Sequence, residues 1–225
     1  MGGTSTCWVR QLFLSSIGKK SVMAVTGLVL FGFVVGHLVG NLQVFIPDDG
    51  KKLNAYAAFL KANAGVLWGA RIVLLAALLA HVGIAILLAL ENRGARPVAY
   101  QLKAYREATY AARTMIISGP LILLYVVYHL LHFTWGTVHP SFNYDDVYHN
   151  VISGFQQPAA SAVYIVAMAM LGLHLFHGLW SMCQSLGVNH PKYNALLRAG
   201  SAAVASAITI GYVAIPVAVM AKLLK

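Results

Sequence analysis

Residues 22–46 read VMAVTGLVLFGFVVGHLVGNLQVFI and form the apolar run that most clearly indicates the fold class. It lies within 27 uncharged residues between Lys20 and Asp48. A helix needs about 20 predominantly apolar residues to cross a lipid bilayer. The run therefore predicts a transmembrane helix, and His37 is the one ionisable side chain within it.

Four more charge-free stretches follow along the chain. They hold 19 residues after Arg71, 31 after Arg113, 45 after Asp146 and 23 after Arg198. The stretch of 45 begins with polar residues before Pro158, so one helix is expected in it. The sequence thus predicts one all-α domain over residues 1–225, an integral membrane bundle of five transmembrane helices near 22–46, 66–90, 114–138, 159–186 and 202–224.

The composition agrees with a membrane protein and excludes several other classes. Hydrophobic residues make up 59% and charged residues 10% of the 225 residues, whereas soluble domains have about 45–50% and about 25%. The net charge is +10, but the 16 Lys and Arg residues are spread along the chain, which does not predict nucleic-acid binding. Two cysteines are too few for a disulfide framework.

The distribution of charge predicts the orientation in the membrane, because basic residues favour cytoplasmic loops. With the N-terminus inside, ten basic and two acidic residues lie inside, and six basic and four acidic residues lie outside. The net charges are then +8 and +2. We therefore expect a cytoplasmic N-terminus and an external C-terminus.

Histidines are the unusual feature of the predicted helices. Ionisable side chains within a membrane are costly and usually mark a functional site. Six of the nine histidines fall inside predicted helices, and those outside them are expected in loops: His139, His149 and His190.

Counting residues at about 1.5 Å each gives the depth of these histidines. His37 lies 17 residues beyond Lys20 and His129 lies 16 beyond Arg113, so both are about 24–25 Å from the inner edge. His81 lies 10 residues before Glu91, about 15 Å from that edge.

His174 follows Pro158 by 16 residues and falls in the same inner half as His81. Four helices therefore supply two imidazoles at each of two levels. Haem iron in b-type cytochromes is held by axial side chains such as histidine, and cofactor sites in bundles form between facing helices. The pattern predicts two bis-histidine haems, with His37 and His129 at the outer level and His81 and His174 at the inner level.

His132 and His177 are competing ligands, since each lies three residues from a favoured one on nearly the same helix face. Depth favours His129 over His132, which would sit about 4.5 Å farther out. Depth favours His174 over His177 only weakly. A haem-free transporter and a haem b anchor of another dehydrogenase, such as a hydrogenase or formate dehydrogenase, are the alternative functions.

The chain resembles the single-chain, five-helix, di-haem cytochrome b subunit of succinate dehydrogenase and fumarate reductase. The likeness covers nearly the whole chain and is carried by SSIGKKSVMAVTGLVLFGFVVGHLVGNLQVF (15–45), RTMIISG (113–119), YHLLHFTWG (128–136) and LGLHLFHGLWSM (171–182). In this family the fourth-helix ligand precedes a Gly-Leu-aromatic step by four residues, which implies His174 rather than His177. The third-helix ligand follows a glycine by ten residues, which implies His129.

The resemblance also implies partners, cofactors and location. The subunit anchors a flavoprotein subunit with FAD and an iron–sulfur subunit on the cytoplasmic face of the bacterial inner membrane. Electrons pass through the inner and outer haems to a quinone, commonly menaquinone. Ser21, Lys20 and Arg113 are expected contacts of a haem propionate or of quinone. Some relatives carry a glutamate two residues before the fourth-helix ligand, where this chain has Gly172.

Overall fold

A computed structural model describes residues 15–95 and 110–225, and these residues form helices and connecting turns without strands. Five helices are long and apolar enough to cross a membrane. The predicted all-α fold with five long apolar helices is thus confirmed in the described ranges. The helices are α1 (Ser16–Asn41), α2 (Lys51–Ala62), α3 (Ala64–Gly94), α4 (Tyr110–His129), α5 (Val147–Phe155), α6 (Pro158–Ser185) and α7 (Pro191–Met220).

The candidate membrane helices are α1, α3, α4, α6 and α7. A 3₁₀ segment, Leu42–Phe45, extends α1, and a π-helical segment, Leu130–Thr134, extends α4. Helices α1, α3 and α4 expose large apolar side chains that lipid would cover, among them Leu28, Phe33, Ile72, Leu79, Ile116 and Leu124. This pattern is expected where lipid, rather than water, surrounds the outer faces.

The fifth membrane helix differs most from its predicted bounds. It begins at Pro191 instead of residue 202. The side chain of His190 accepts the backbone N–H of Lys192 at 3.2 Å, and proline suits the first helical turn. The exposed Lys192 and Arg198 therefore lie on the helix, so a charge gap marks only its apolar part.

Helices α2 and α5 were not predicted, and they lie together at one end of the bundle. Asn54 on α2 donates to the Asp146 carboxylate at 2.9 Å and accepts the N–H of Tyr148 at 2.9 Å. The loop prediction for His149 is therefore wrong, because His149 lies within α5. We call this end, with α2 and α5, the cap end, and the opposite end, where α1 begins, the N-terminal end.

Close packing joins α1 to α3, α4 to α6 and α6 to α7, and α1 also touches α6. One apolar cluster lies at the cap end and contains Val44, Leu53, Val151, Ile152, Phe155, Tyr164, Ile215 and Val219. A second joins α1, α6 and α7 through Leu38, Leu175, Ala205 and Ile208. Among the described residues, α1 and α4 do not pack closely against each other, and neither do α3 and α6.

Candidate functional site

Two pairs of histidines face each other between helices that do not pack closely. The ring centroids of His37 on α1 and His129 on α4 are 5.9 Å apart, with the ring planes at 83°. Those of His81 on α3 and His174 on α6 are 6.4 Å apart, with the planes at 57°. The structure therefore brings together the four histidines in the two pairs that depth matching predicted.

The two histidine pairs lie at different levels of the bundle, and the distance between the levels can be counted along both α1 and α4. On α1, Thr26 contacts His81 at 3.2 Å and lies eleven residues before His37. On α4, Ser118 contacts His174 at 3.4 Å and lies eleven residues before His129. Eleven helical residues span about 16 Å. Two helices thus give the same spacing between the levels.

Hydroxyl groups hold the Nδ1 atoms of three of these imidazoles. The Thr26 hydroxyl lies beside Nδ1 of His81, and the Ser118 hydroxyl lies beside Nδ1 of His174. The Tyr164 hydroxyl lies 3.2 Å from Nδ1 of His129. A ring nitrogen held in this way fixes the tautomer and leaves the other nitrogen for a metal.

The hydrogen bonds of the Thr26 hydroxyl determine which nitrogen of His81 carries the proton. The hydroxyl donates to the carbonyl of Val22 at 2.8 Å. Its oxygen therefore accepts the Nδ1–H of His81, whose Nε2 keeps its lone pair. The Ser118 hydroxyl similarly faces the carbonyl of Met115 at 3.5 Å.

The distances and the donor set both suit a haem held by two imidazoles. A bond between a metal and an imidazole nitrogen is about 2 Å long, so two rings on opposite sides of one ion have centres about 6 Å apart. Within residues 15–95 and 110–225, no three or more His, Cys, Asp or Glu side chains are grouped so that they could hold a metal ion by themselves. Two imidazoles suffice for haem, because the porphyrin nitrogens occupy the remaining positions around the iron.

Glycines near the histidines fall into two groups. A Cβ atom added at Gly36, Gly83, Gly119 or Gly178 would have no neighbour within 4 Å. At Gly172, by contrast, it would overlap the Thr209 hydroxyl on α7, and at Gly40 it would press against the Tyr56 ring. The first group faces open space, and the second allows close packing.

The other predicted site residues lie at the N-terminal end. The Ser21 hydroxyl donates to the carbonyl of Ile17 at 3.1 Å. Lys20 is exposed, as is Arg113 at the start of the third candidate span. Their neighbour Lys19 is buried and forms an ion pair with Glu91 on α3, and sequence reasoning did not single it out.

His132 is the most buried of the histidines, with 1% of its surface exposed. Its Nδ1 lies 3.1 Å from the Tyr164 hydroxyl, the same hydroxyl that contacts His129. His177 is partly buried on α6, one turn beyond His174. The site residues predicted from the sequence do not include Tyr164, Thr26 or Ser118. Each carries a hydroxyl at the level of a histidine on a neighbouring helix, and that coincidence could have indicated them.

Comparison with known families gives a match to the succinate dehydrogenase/fumarate reductase transmembrane subunit over residues 92–214. The matched range runs from the end of α3 into α7 and includes His129 and His174. No curated protein and no solved structure was found to match. Because the match covers more than half of the 225 residues, the chain belongs to the family of succinate dehydrogenase/fumarate reductase transmembrane subunits.

Proposed function

We propose that this membrane subunit carries electrons between an iron–sulfur subunit and membrane quinone through two b haems. His37 and His129 bind one haem, and His81 and His174 bind the other. The observation that carries the proposal is the two facing imidazole pairs, with ring centroids 5.9 Å and 6.4 Å apart.

The side chains around the pairs perform the tasks that such a subunit requires. Each haem supplies one-electron oxidation and reduction. The imidazoles bind from four different helices, which fixes the separation of the levels at about 16 Å. The Thr26, Ser118 and Tyr164 hydroxyls orient three of the rings. The apolar helices would limit the access of water to the space between them.

The N-terminal end is the proposed cytoplasmic face, and the C-terminus is then external. Ten basic against two acidic residues would lie on the cytoplasmic side, which is the distribution that the positive-inside rule favours. This face would dock the iron–sulfur subunit, to which an FAD-bearing flavoprotein subunit attaches, in a bacterial inner membrane. Ser21, Lys20 and Arg113 are the proposed contacts of a haem propionate or of quinone there, and menaquinone is the proposed quinone.

Haem content of the purified complex tests the proposal. The unsubstituted complex should contain two haems per copy of this chain, measured from the visible absorbance of the extracted haem. His37→Leu and His174→Leu should each remove one haem. His149→Gln is the matched control, because His149 is exposed on α5 and contacts Ser141, and it should retain both.

The same preparation separates the alternatives. Two haems retained in His37→Leu would reject that ligand assignment. A complex from which no haem can be extracted would favour a haem-free protein. A nickel- or molybdenum-containing partner, in place of a flavin-containing one, would favour an anchor for a different dehydrogenase.

A further inference from the structure

The Tyr164 hydroxyl lies between two imidazoles of α4 and its extension. It is 3.2 Å from Nδ1 of His129 and 3.1 Å from Nδ1 of His132. Tyr164 is 4% exposed and His132 is 1% exposed. Water therefore has little access to this cluster, and the three side chains must satisfy one another.

Counting protons fixes the direction of both hydrogen bonds. A phenol has one proton to donate, and its oxygen can accept another. If His129 offers Nε2 to a metal, its own proton is on Nδ1 and is donated to the Tyr164 oxygen. The Tyr164 proton must then be donated to Nδ1 of His132.

His132 lies in the π-helical segment that extends α4. Within Leu130–Thr134 the helix widens, and the N–H of Trp135 donates to the carbonyl of Leu130 at 2.9 Å. Such bulges occur frequently at functional sites.

His139 packs against the outer side of this cluster, with its ring centroid 4.9 Å from that of His132. Both nitrogens of His139 have other partners. Nε2 donates to the carbonyl of Asn150 at 2.9 Å, and Nδ1 accepts the N–H of Ser141 at 3.1 Å. His139 therefore fixes the position of the His132 ring by packing.

The inner histidine pair has a different arrangement. The Thr26 hydroxyl donates its proton to a carbonyl of its own helix at 2.8 Å, and the Ser118 hydroxyl faces one at 3.5 Å. Within residues 15–95 and 110–225, the Tyr164 hydroxyl is the one hydroxyl that contacts two imidazoles. A hydroxyl that donates to a second base becomes a stronger acceptor, because linked hydrogen bonds polarise one another.

We propose that Tyr164, held by His132, is a positioning residue for His129 that lowers the redox potential of the outer haem. This inference rests on the proposed haem ligands. A strong acceptor at Nδ1 makes the imidazole a more basic ligand, and a more basic axial ligand stabilises the oxidised iron. Hydrogen bonding to an axial ligand is one of the means by which proteins set haem potentials.

Redox titration of the purified complex, followed by haem absorbance, tests this inference. Tyr164→Phe should keep two haems and raise the midpoint potential of one of them. Ser118→Ala should raise that of the other. Tyr212→Phe is the matched control near the same pair, because its ring is 6.3 Å from that of His37 while its hydroxyl donates to the carbonyl of Val34 at 2.7 Å. It should move neither potential.

A second variant tests the role of His132 separately. His132→Phe keeps an aromatic ring against Tyr128 but removes the base, so it should raise the same potential by a smaller amount. The double variant should shift no further than Tyr164→Phe alone. Unchanged potentials in both single variants, with two haems bound, would overturn this inference and leave the proposed function standing. An unsubstituted complex without haem would overturn both.

Discussion

Lys19 and Glu91 form an ion pair that joins the first turn of α1 to the last turn of α3, across 72 positions of sequence. The pair is asymmetric, because 8% of the Lys19 side chain is exposed against 47% of that of Glu91. The ammonium is therefore the group that depends on its partner.

Glu91→Ala should consequently destabilise the protein more than Lys19→Met does. A buried polar group left without its partner costs about 1–3 kcal/mol, and a charged group costs more, whereas Lys19→Met removes the charge and keeps an apolar chain in place. Thermal denaturation of the protein in detergent gives the comparison. The double variant should recover most of the loss, and Lys52→Met, at an exposed lysine of α2, should change little. Equal losses in both single variants would contradict the asymmetry.

Thr26→Val should weaken haem retention at the His81–His174 pair alone. It removes the hydroxyl that accepts from Nδ1 of His81, and loss of such a contact typically weakens metal affinity by about 10–100-fold. The rate of haem transfer to an excess of apomyoglobin measures this. Thr209→Val is the matched control, because the Thr209 hydroxyl donates to the carbonyl of Ala205 at 2.8 Å. Equal rates in the two variants would count against a role for Thr26.

Gly172→Ala should destabilise the contact between α6 and α7. The added Cβ would overlap the hydroxyl of Thr209, and overpacking of this kind costs about 1–3 kcal/mol. Thr209→Ala in the same chain should restore most of the thermal stability. If the double variant is no more stable than Gly172→Ala, the close approach of these two residues is not the cause.

Asp146 should contribute a pH-dependent part of the stability of the cap end. The N–H of His149 holds the pKa of this carboxyl below its usual value, helped by the side chain of Asn54 and by the charge of His149, while partial burial opposes them. A pKa lower in the folded than in the unfolded state stabilises the protein above the unfolded value, about 3.9. That stabilisation is lost as the pH falls through the folded value.

Asp146→Ala should therefore lower stability by about 1 kcal/mol at pH 7, the usual cost of losing a helix N-cap, and by less below pH about 4. Thermal denaturation across this range measures the difference from the unsubstituted protein. Asp145→Ala is the control, since the Asp145 side chain is 88% exposed. A difference that stays constant with pH would argue against the ionised cap.

Much of the architecture follows from the sequence alone. Lipid offers no hydrogen bonds to the backbone, so a spanning segment must be helical and long enough to cross. Charge-free runs therefore predict five helices, and the second and fourth agree within about four residues with Ala64–Gly94 and Pro158–Ser185. The levels of His37 and His129 could be counted because every helical residue adds the same rise.

Other features depend on contacts between distant segments. Helices α2 and α5 are stabilised by burying residues such as Leu53 and Val151 in a cluster that also includes Ile215 of α7. Asp146 is a local start signal for α5, but neither short helix is long enough to appear as a membrane-spanning run. The start of α7 at Pro191 was missed because charged residues can continue a helix beyond the apolar layer.

Apolar runs long enough to cross a bilayer predict the five membrane helices, and the constant rise per helical residue predicts that His37 and His129 lie at one level. Which helix faces meet depends on contacts that form in the folded bundle. Helix rotation and pairing are set by side-chain packing between segments far apart in sequence. That packing brings the Tyr164 hydroxyl to both His129 and His132, and it turns Gly172 towards Thr209.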